Sequence, residues 1–354
     1  MTPRETLLAE AAKRILITDG AFGTEIQNWK LAEADYAGSL GLSHDQKGNN
    51  DILAITKPEV PATITRAYLD AGSDIVSTNT FSANIISQAD YGAEHLVRQI
   101  NVESAKIARK LADEYAAKDA ENGISRPRFV AGAIGPTNKT LSLSPDVNDP
   151  GYREIDFDYL KDVYRDQIDA LVEGGADFIL IETVFDTLNA KAGVMAAIEA
   201  GEALGRDLPI MLSMTLTDLS GRNLSGHTVE AFWHAVRHAR PVTIGLNCSF
   251  GAEQLRPHVK TLSAIADTLI MVYPNAGLPN ELGAYDEMPE TTAGLVKEWA
   301  EAGQVNILGG CCGSTPAHIK AIADAVAGLP PRAIAHPEVR TRLAGLEPFI
   351  MAVG

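Results

Sequence analysis

Eight short runs rich in valine, isoleucine and leucine recur along the chain, and each gives way to small or polar residues. They are ILITDGA (15–21), DIVSTNT (74–80), FVAGAIG (129–135), FILIET (178–183), IMLSMTL (210–216), VTIGLNC (242–248), LIMVYPN (269–275) and VNILGGCC (305–312). The runs are nearly continuous in apolar residues rather than alternating, as strands buried on both faces should be. Helical patterns separate most of them. KPEVPATITRAYLDAG carries proline near its start and glycine past its end. HTVEAFWHAVRHA can start from a Thr228 cap and places a tryptophan and a valine on one face. Eight βα repeats predict an α/β fold, a single-domain (β/α)8 TIM-type barrel over residues 1–328, with a C-terminal arm or linker stub over 329–354. A doubly wound sheet is the alternative, but no G-x-G-x-x-G follows the first run.

The connections are uneven. Long irregular stretches follow runs one, three and seven, at residues 28–57, 136–158 and 276–292. Barrels carry their working loops after the strands, so the elaborated face is the one to search for chemistry. Charge narrows the partners. A formal net charge of −16 argues against nucleic acid or an anionic membrane surface. No apolar run approaches the roughly 18 residues of a membrane span. The opening MTPRETLLAEAAKR is polar, with no signal-peptide core, and the expectation is a cytoplasmic enzyme.

Only three cysteines occur, Cys248, Cys311 and Cys312. That is no disulfide framework. Cys248 ends run six and the doublet ends run eight. Alternate strands of a barrel share layers, so these two ends can stand at one height and bring all three thiols together. Three thiolates suit zinc with an open fourth position. Such an electron-rich centre makes hydroxide poorly but can hold a substrate thiol as a nucleophilic thiolate, which points to alkyl transfer onto sulfur. Other readings stand beside this one. Cys248 alone could be a small buried hydrophobe, and the doublet could be a strained vicinal disulfide or a redox or metal-buffering pair. Gly309 and Gly310 favour a site, because glycines allow close backbone approach.

Polar residues at the other strand ends line the expected barrel mouth: Asp19, Glu182, Asn247 and Asn275. A carboxylate after an apolar strand is costly without a partner. A substrate ammonium would serve for Asp19 and Glu182; a helix cap or a lysine such as Lys191 is the structural alternative. Asn275, on the strand between six and eight, could be a weak fourth ligand or simply a turn residue. His227, His234 and His238 lie in or near a helical pattern and read as surface or packing residues.

The segments ITDGAFGTEIQ, GNNDILAITKPEV, GAIGPTNKTLSLSPDVNDP, LIETVFDTLNAK, GLNCSFG, YPNAGLPN and GGCCGSTPAHI resemble the homocysteine-binding domain of cobalamin-dependent methionine synthases. The pairing of GLNC with GGCCG is specific to the wider homocysteine methyltransferase family. GNND, SPDVNDP and FDTLNAK narrow the resemblance to the cobalamin type. It implies a (β/α)8 barrel in which Cys248, Cys311 and Cys312 bind Zn2+, Glu182 receives the ammonium of L-homocysteine, and Asp19 helps close the substrate pocket. It implies methyl transfer from methylcobalamin, giving methionine. RLAGLEPF, near the end of the chain, resembles the linker to a folate module. The expectation is therefore that a separate methionine synthase chain with cobalamin- and folate-binding modules presents the donor. S-methylmethionine or betaine, used without a partner, is the alternative donor.

Overall fold

The structure is a computed structural model that describes residues 1–352. Eight parallel strands follow in order around the barrel: β1 (Leu16–Ile17), β2 (Ile75–Ser77), β3 (Phe129–Ile134), β4 (Phe178–Val184), β5 (Ile210–Met214), β6 (Thr243–Gly251), β7 (Leu269–Asn275) and β8 (Ile307–Leu308). β1 pairs with β8 through Leu16 and Ile307, and a bridge from Thr18 to Ile75 closes the ring. A helix follows each strand, from Glu59–Asp70 after β1 to Pro316–Val326 after β8. All eight sequence runs become strands. β1 and β8 are much shorter than their runs, because the chain leaves the ladder at Asp19 and at Gly309 to build loops.

Each strand is buried on both faces, yet the two faces serve different cores. Outward residues such as Val130, Ile179, Ile181, Leu212, Ile244 and Val272 pack with the helices. Inward residues such as Leu16, Phe129, Phe178, Leu180, Met211, Met271 and Ile307 fill the barrel. The period of two that strand geometry imposes is thus hidden in the sequence by apolar residues on both sides. On β4 and β7 the inward series continues upward into Glu182, Tyr273 and Asn275, so strand register alone aims these side chains at the mouth.

The N-terminal segment, read from the sequence only as polar, is the helix Pro3–Ala11. Thr2 and Glu5 form a capping box, and Pro3 sits at the first helical position. Its Leu7 and Ala11 join the inner core and plug the lower end of the barrel.

The long stretches also differ from expectation. Residues 28–57 are only partly irregular: they hold the short helices Glu33–Ala37 and Leu53–Thr56, with Phe22–Asn28 just before. The third stretch begins its helix at Pro289, inside the loop expected to run to 292. The loop after β3 is pinned to the loop after β4, where Asp186 accepts from the Ser142 backbone and hydroxyl at 2.9 and 2.7 Å.

The C-terminal arm packs on the body. Buried Arg332 donates to the carbonyls of Ser263, Ala266 and Thr268. A hairpin of β9 (Arg342–Ala344) and β10 (Pro348–Ile350) lies against the helix Val229–Val236, and Thr228 N donates to Leu346 O at 3.1 Å. The last two residues of the expected arm lie outside the described residues.

Candidate metal centre and substrate cavity

Backbone geometry turns Cys248 toward the doublet. β6 pairs regularly with β7 up to Asn247 and resumes at Gly251, and the bulge between holds Cys248 and Ser249, both left-handed at φ 61°. Neither is a residue that adopts this region readily, so the strain must be held by contacts. Ser249 shares a hydroxyl hydrogen bond with Thr215 at 2.7 Å, which ties the bulge to the end of β5. A matching irregularity on β4 places Thr183 at φ 56°. Bulges beside a working site re-aim side chains in this way.

The doublet is clamped on both sides. Cys311 N donates to Pro274 O at 2.8 Å, and Ala276 N donates to Cys312 O at 2.9 Å. Gly310 N reaches Asp19 O, and the Ser314 hydroxyl donates to Cys311 O at 2.6 Å. The two glycines are required by crowding: a Cβ on Gly309 would overlap Thr18 and the Asp19 carbonyl, and one on Gly310 would overlap Ser314.

All three cysteines are free and partly exposed, and their sulfurs lie within 4.8 Å of one another. Cys248 and Cys312 are 3.8 Å apart. A tetrahedral zinc with metal–sulfur bonds of about 2.3 Å has sulfur–sulfur edges of about 3.8 Å. The spacing therefore fits a shared zinc ion and is too long for a disulfide. Hydrogen bonds from Cys311 and Cys312 favour a thiolate on Cys248, whose pKa falls to about 3, while the contact with Cys248, together with burial, pushes Cys312 up to about 11. The cluster thus holds negative charge at one sulfur and resists it at the next, and a cation is what would relieve that. Asn275 lies beside Cys248, and its buried Oδ1 has no hydrogen-bond partner. A buried lone pair with nothing to accept from is costly, and a metal ligand role would satisfy it.

A cavity of about 340 Å3 opens next to the cysteines, lined among others by Asp19, Asp51, Glu182 and Tyr273. Asp19 accepts from Ser77 N at 2.7 Å and from the Ser77 hydroxyl at 3.0 Å. Burial nevertheless raises its pKa to about 6. Glu182 accepts from the Tyr273 hydroxyl at 2.9 Å, and burial lifts its pKa to about 8. Its partner is therefore Tyr273, with Lys191 playing no part in the pair. Asp51, lifted by burial to about 7, has the Ser82 N–H as a partner at 2.9 Å. Two buried acids and the half-buried Glu182, with few donors, make a wall that a cationic ligand would stabilise.

Asn247 is placed differently from expectation. It does not line this cavity. Its Oδ1 accepts from Ser213 and Thr183 N, and its Nδ2 donates to the Thr183 hydroxyl at 2.9 Å and faces Cys311 Sγ at 3.7 Å. It braces the strand end that holds Glu182. Sequence reasoning passed over Tyr273, Asp51 and Thr183. Tyr273 reads as one more apolar strand residue until its inward register is known. Asp51 sits in GNND, where only the resemblance marks it. His227 is a loop staple, its Nδ1 within 3.1 Å of Thr187 and 3.0 Å of Ser225.

Residues 16–326 match the model of the homocysteine S-methyltransferase family. Among solved structures, the chain is similar to the homocysteine methyltransferase MmuM from Escherichia coli. The metallated form is 23% identical with a TM-score of 0.69, covering 91% of this chain and 99% of that one. The oxidised form is 22% identical with a TM-score of 0.70, covering 92% and 99%.

Proposed function

The chain belongs to the homocysteine S-methyltransferase family, and from that premise we propose that it methylates the thiol of L-homocysteine at a zinc site, giving methionine, with methylcobalamin on a partner module as donor. The observation that carries the reading is the convergence of all three cysteines beside a cavity walled by buried acids. That MmuM has been crystallised in a metallated form supports metal binding on this fold. Cys248, Cys311 and Cys312 would hold the zinc, with Asn275 completing its shell until substrate arrives. Zinc held there supplies a place where the homocysteine thiol sheds its proton near neutral pH.

The chain's own residues do the positioning. Glu182, oriented by Tyr273, receives the substrate ammonium, and the ion pair draws a carboxyl with a pKa of about 8 into its charged form. Asp19, held by Ser77, closes the adjoining wall. With the amino acid fixed at one end and the thiol at the other, reaction becomes a matter of placing the donor methyl group in line. The cobalamin assignment rests on the GNND, SPDVNDP and FDTLNAK segments.

A second reading keeps the reaction and changes the donor. Asp51 adds a third acid to the cavity, which suits a small cationic donor such as S-methylmethionine or betaine. A donor panel with homocysteine separates the two. Turnover with methylcobalamin and none with S-methylmethionine or betaine supports the main reading; the reverse pattern replaces it.

A further inference from the structure

The end of the barrel opposite the cysteines carries a second, larger cleft of about 820 Å3. It lies where the N-terminal helix, the turn after Val229–Val236 and the C-terminal arm meet. Five arginines line it (Arg4, Arg237, Arg240, Arg340 and Arg342) against a single acid, Asp267. On a chain with a formal net charge of −16, that is a local reversal of sign.

The positive charge is only partly neutralised. Arg4 pairs with Asp207, Arg237 with Asp267, and Arg340 with Glu338. Among the described residues, Arg240 and Arg342 form no ion pair; Arg342 donates only to the backbone oxygens of Glu338 and Arg340. A second, independent feature points the same way. The His234 side chain lines the cleft and is only 2% exposed; its Nε2 faces Glu230 Oε1 loosely at 3.5 Å, and its Nδ1 has no hydrogen-bond partner. A buried ring nitrogen without a partner is costly, and an anionic oxygen would take an N–H at Nδ1.

We propose that this cleft is a binding site for a small di- or triphosphate. Planar guanidinium groups on three walls call for a ligand with several anionic oxygens, and arginine matches phosphate in paired hydrogen bonds. The volume falls in the range of small-molecule sites and accommodates a nucleotide. Arg340 and Arg342 belong to the arm, while Arg4, Arg237 and Arg240 belong to the body. A ligand spanning them ties the arm down, at the end of the barrel away from the chemistry at the mouth.

Thermal unfolding of the full chain with added pyrophosphate, tripolyphosphate or ATP, at fixed ionic strength, tests this. The expected result is a saturable rise in Tm with at least one of the three. Pyrophosphate and ATP separate an inorganic from a nucleotide ligand, and either response supports the site. The Arg240→Gln/Arg342→Gln double variant should bind the same ligand roughly tenfold or more weakly. Arg98→Gln, an exposed control, should bind it unchanged. If the double variant fails to fold, Arg340→Gln alone should still weaken binding. No saturable response at millimolar ligand, or equal responses in wild type and variants, overturns the proposal.

Discussion

The Sγ atoms of Cys248 and Cys312 stand 3.8 Å apart, although 64 residues of chain separate them. Two βα units and one left-handed bulge bring them there. The distance matches the edge of a zinc–thiolate tetrahedron, and the backbone that sets it is strained at φ 61° on Cys248 and Ser249. Glycines at 309 and 310 let the doublet approach from the other side.

Gly309→Ala tests that crowding. The added methyl meets Thr18 and the Asp19 carbonyl. The expected cost is roughly 1–3 kcal/mol of stability, typical of an overpacked core, accompanied by weaker zinc binding as β1 and β8 are pushed apart. A melting curve and a zinc titration on the same variant check both. An unchanged Tm would show that the strands yield easily there.

Glu182→Gln should weaken homocysteine binding by roughly 10- to 100-fold, the worth of a charge-assisted hydrogen bond, and leave zinc content intact. Calorimetry and metal quantification read the two effects. Equal loss of both would make Glu182 a structural residue.

The same variant carries a pH signature. Burial lifts the Glu182 pKa from an ordinary value of 4.5 to about 8. Between those values the folded chain keeps a proton that the unfolded chain has lost. Folding stability therefore falls as pH rises through that window and levels off above it. Tm should drop less steeply from pH 5 to 8 in Glu182→Gln than in wild type. Parallel Tm profiles would contradict the raised pKa.

Asn275→Leu removes the orphaned Oδ1 while keeping the branched shape of the side chain. Zinc affinity without homocysteine should fall, by roughly the 10- to 100-fold that loss of a supporting group costs a metal site. With homocysteine present the affinity should be unchanged, because the substrate thiol takes the fourth position. Equal affinities in both conditions would remove Asn275 from the metal's surroundings.

Much of this was legible in the chain. The eight apolar runs name the eight strands, and Thr228 caps its helix as the pattern predicts. The cysteines were found because strand parity puts ends six and eight at one height. Tyr273 was passed over, and Asn247 was expected at the substrate, because the roles of both depend on which face of a doubly buried strand points inward. Both faces of β7 are apolar below Tyr273, so hydrophobicity carries no sign of direction. The N-terminal plug was missed although its Thr2–Glu5 capping box is readable in MTPRE. The bulges at Thr183 and Cys248 leave no mark in composition, because their strain is held by distant partners such as Thr215 and Asn247.

The most direct measurement is zinc content and methyl transfer to homocysteine on the same reduced sample, for wild type and Cys311→Ala. The account predicts about one zinc per wild-type chain, as a three-cysteine site should hold, with turnover that a chelator abolishes and added zinc restores. It predicts that Cys311→Ala loses both. Wild type without zinc, or Cys311→Ala with full zinc and full turnover, would contradict it.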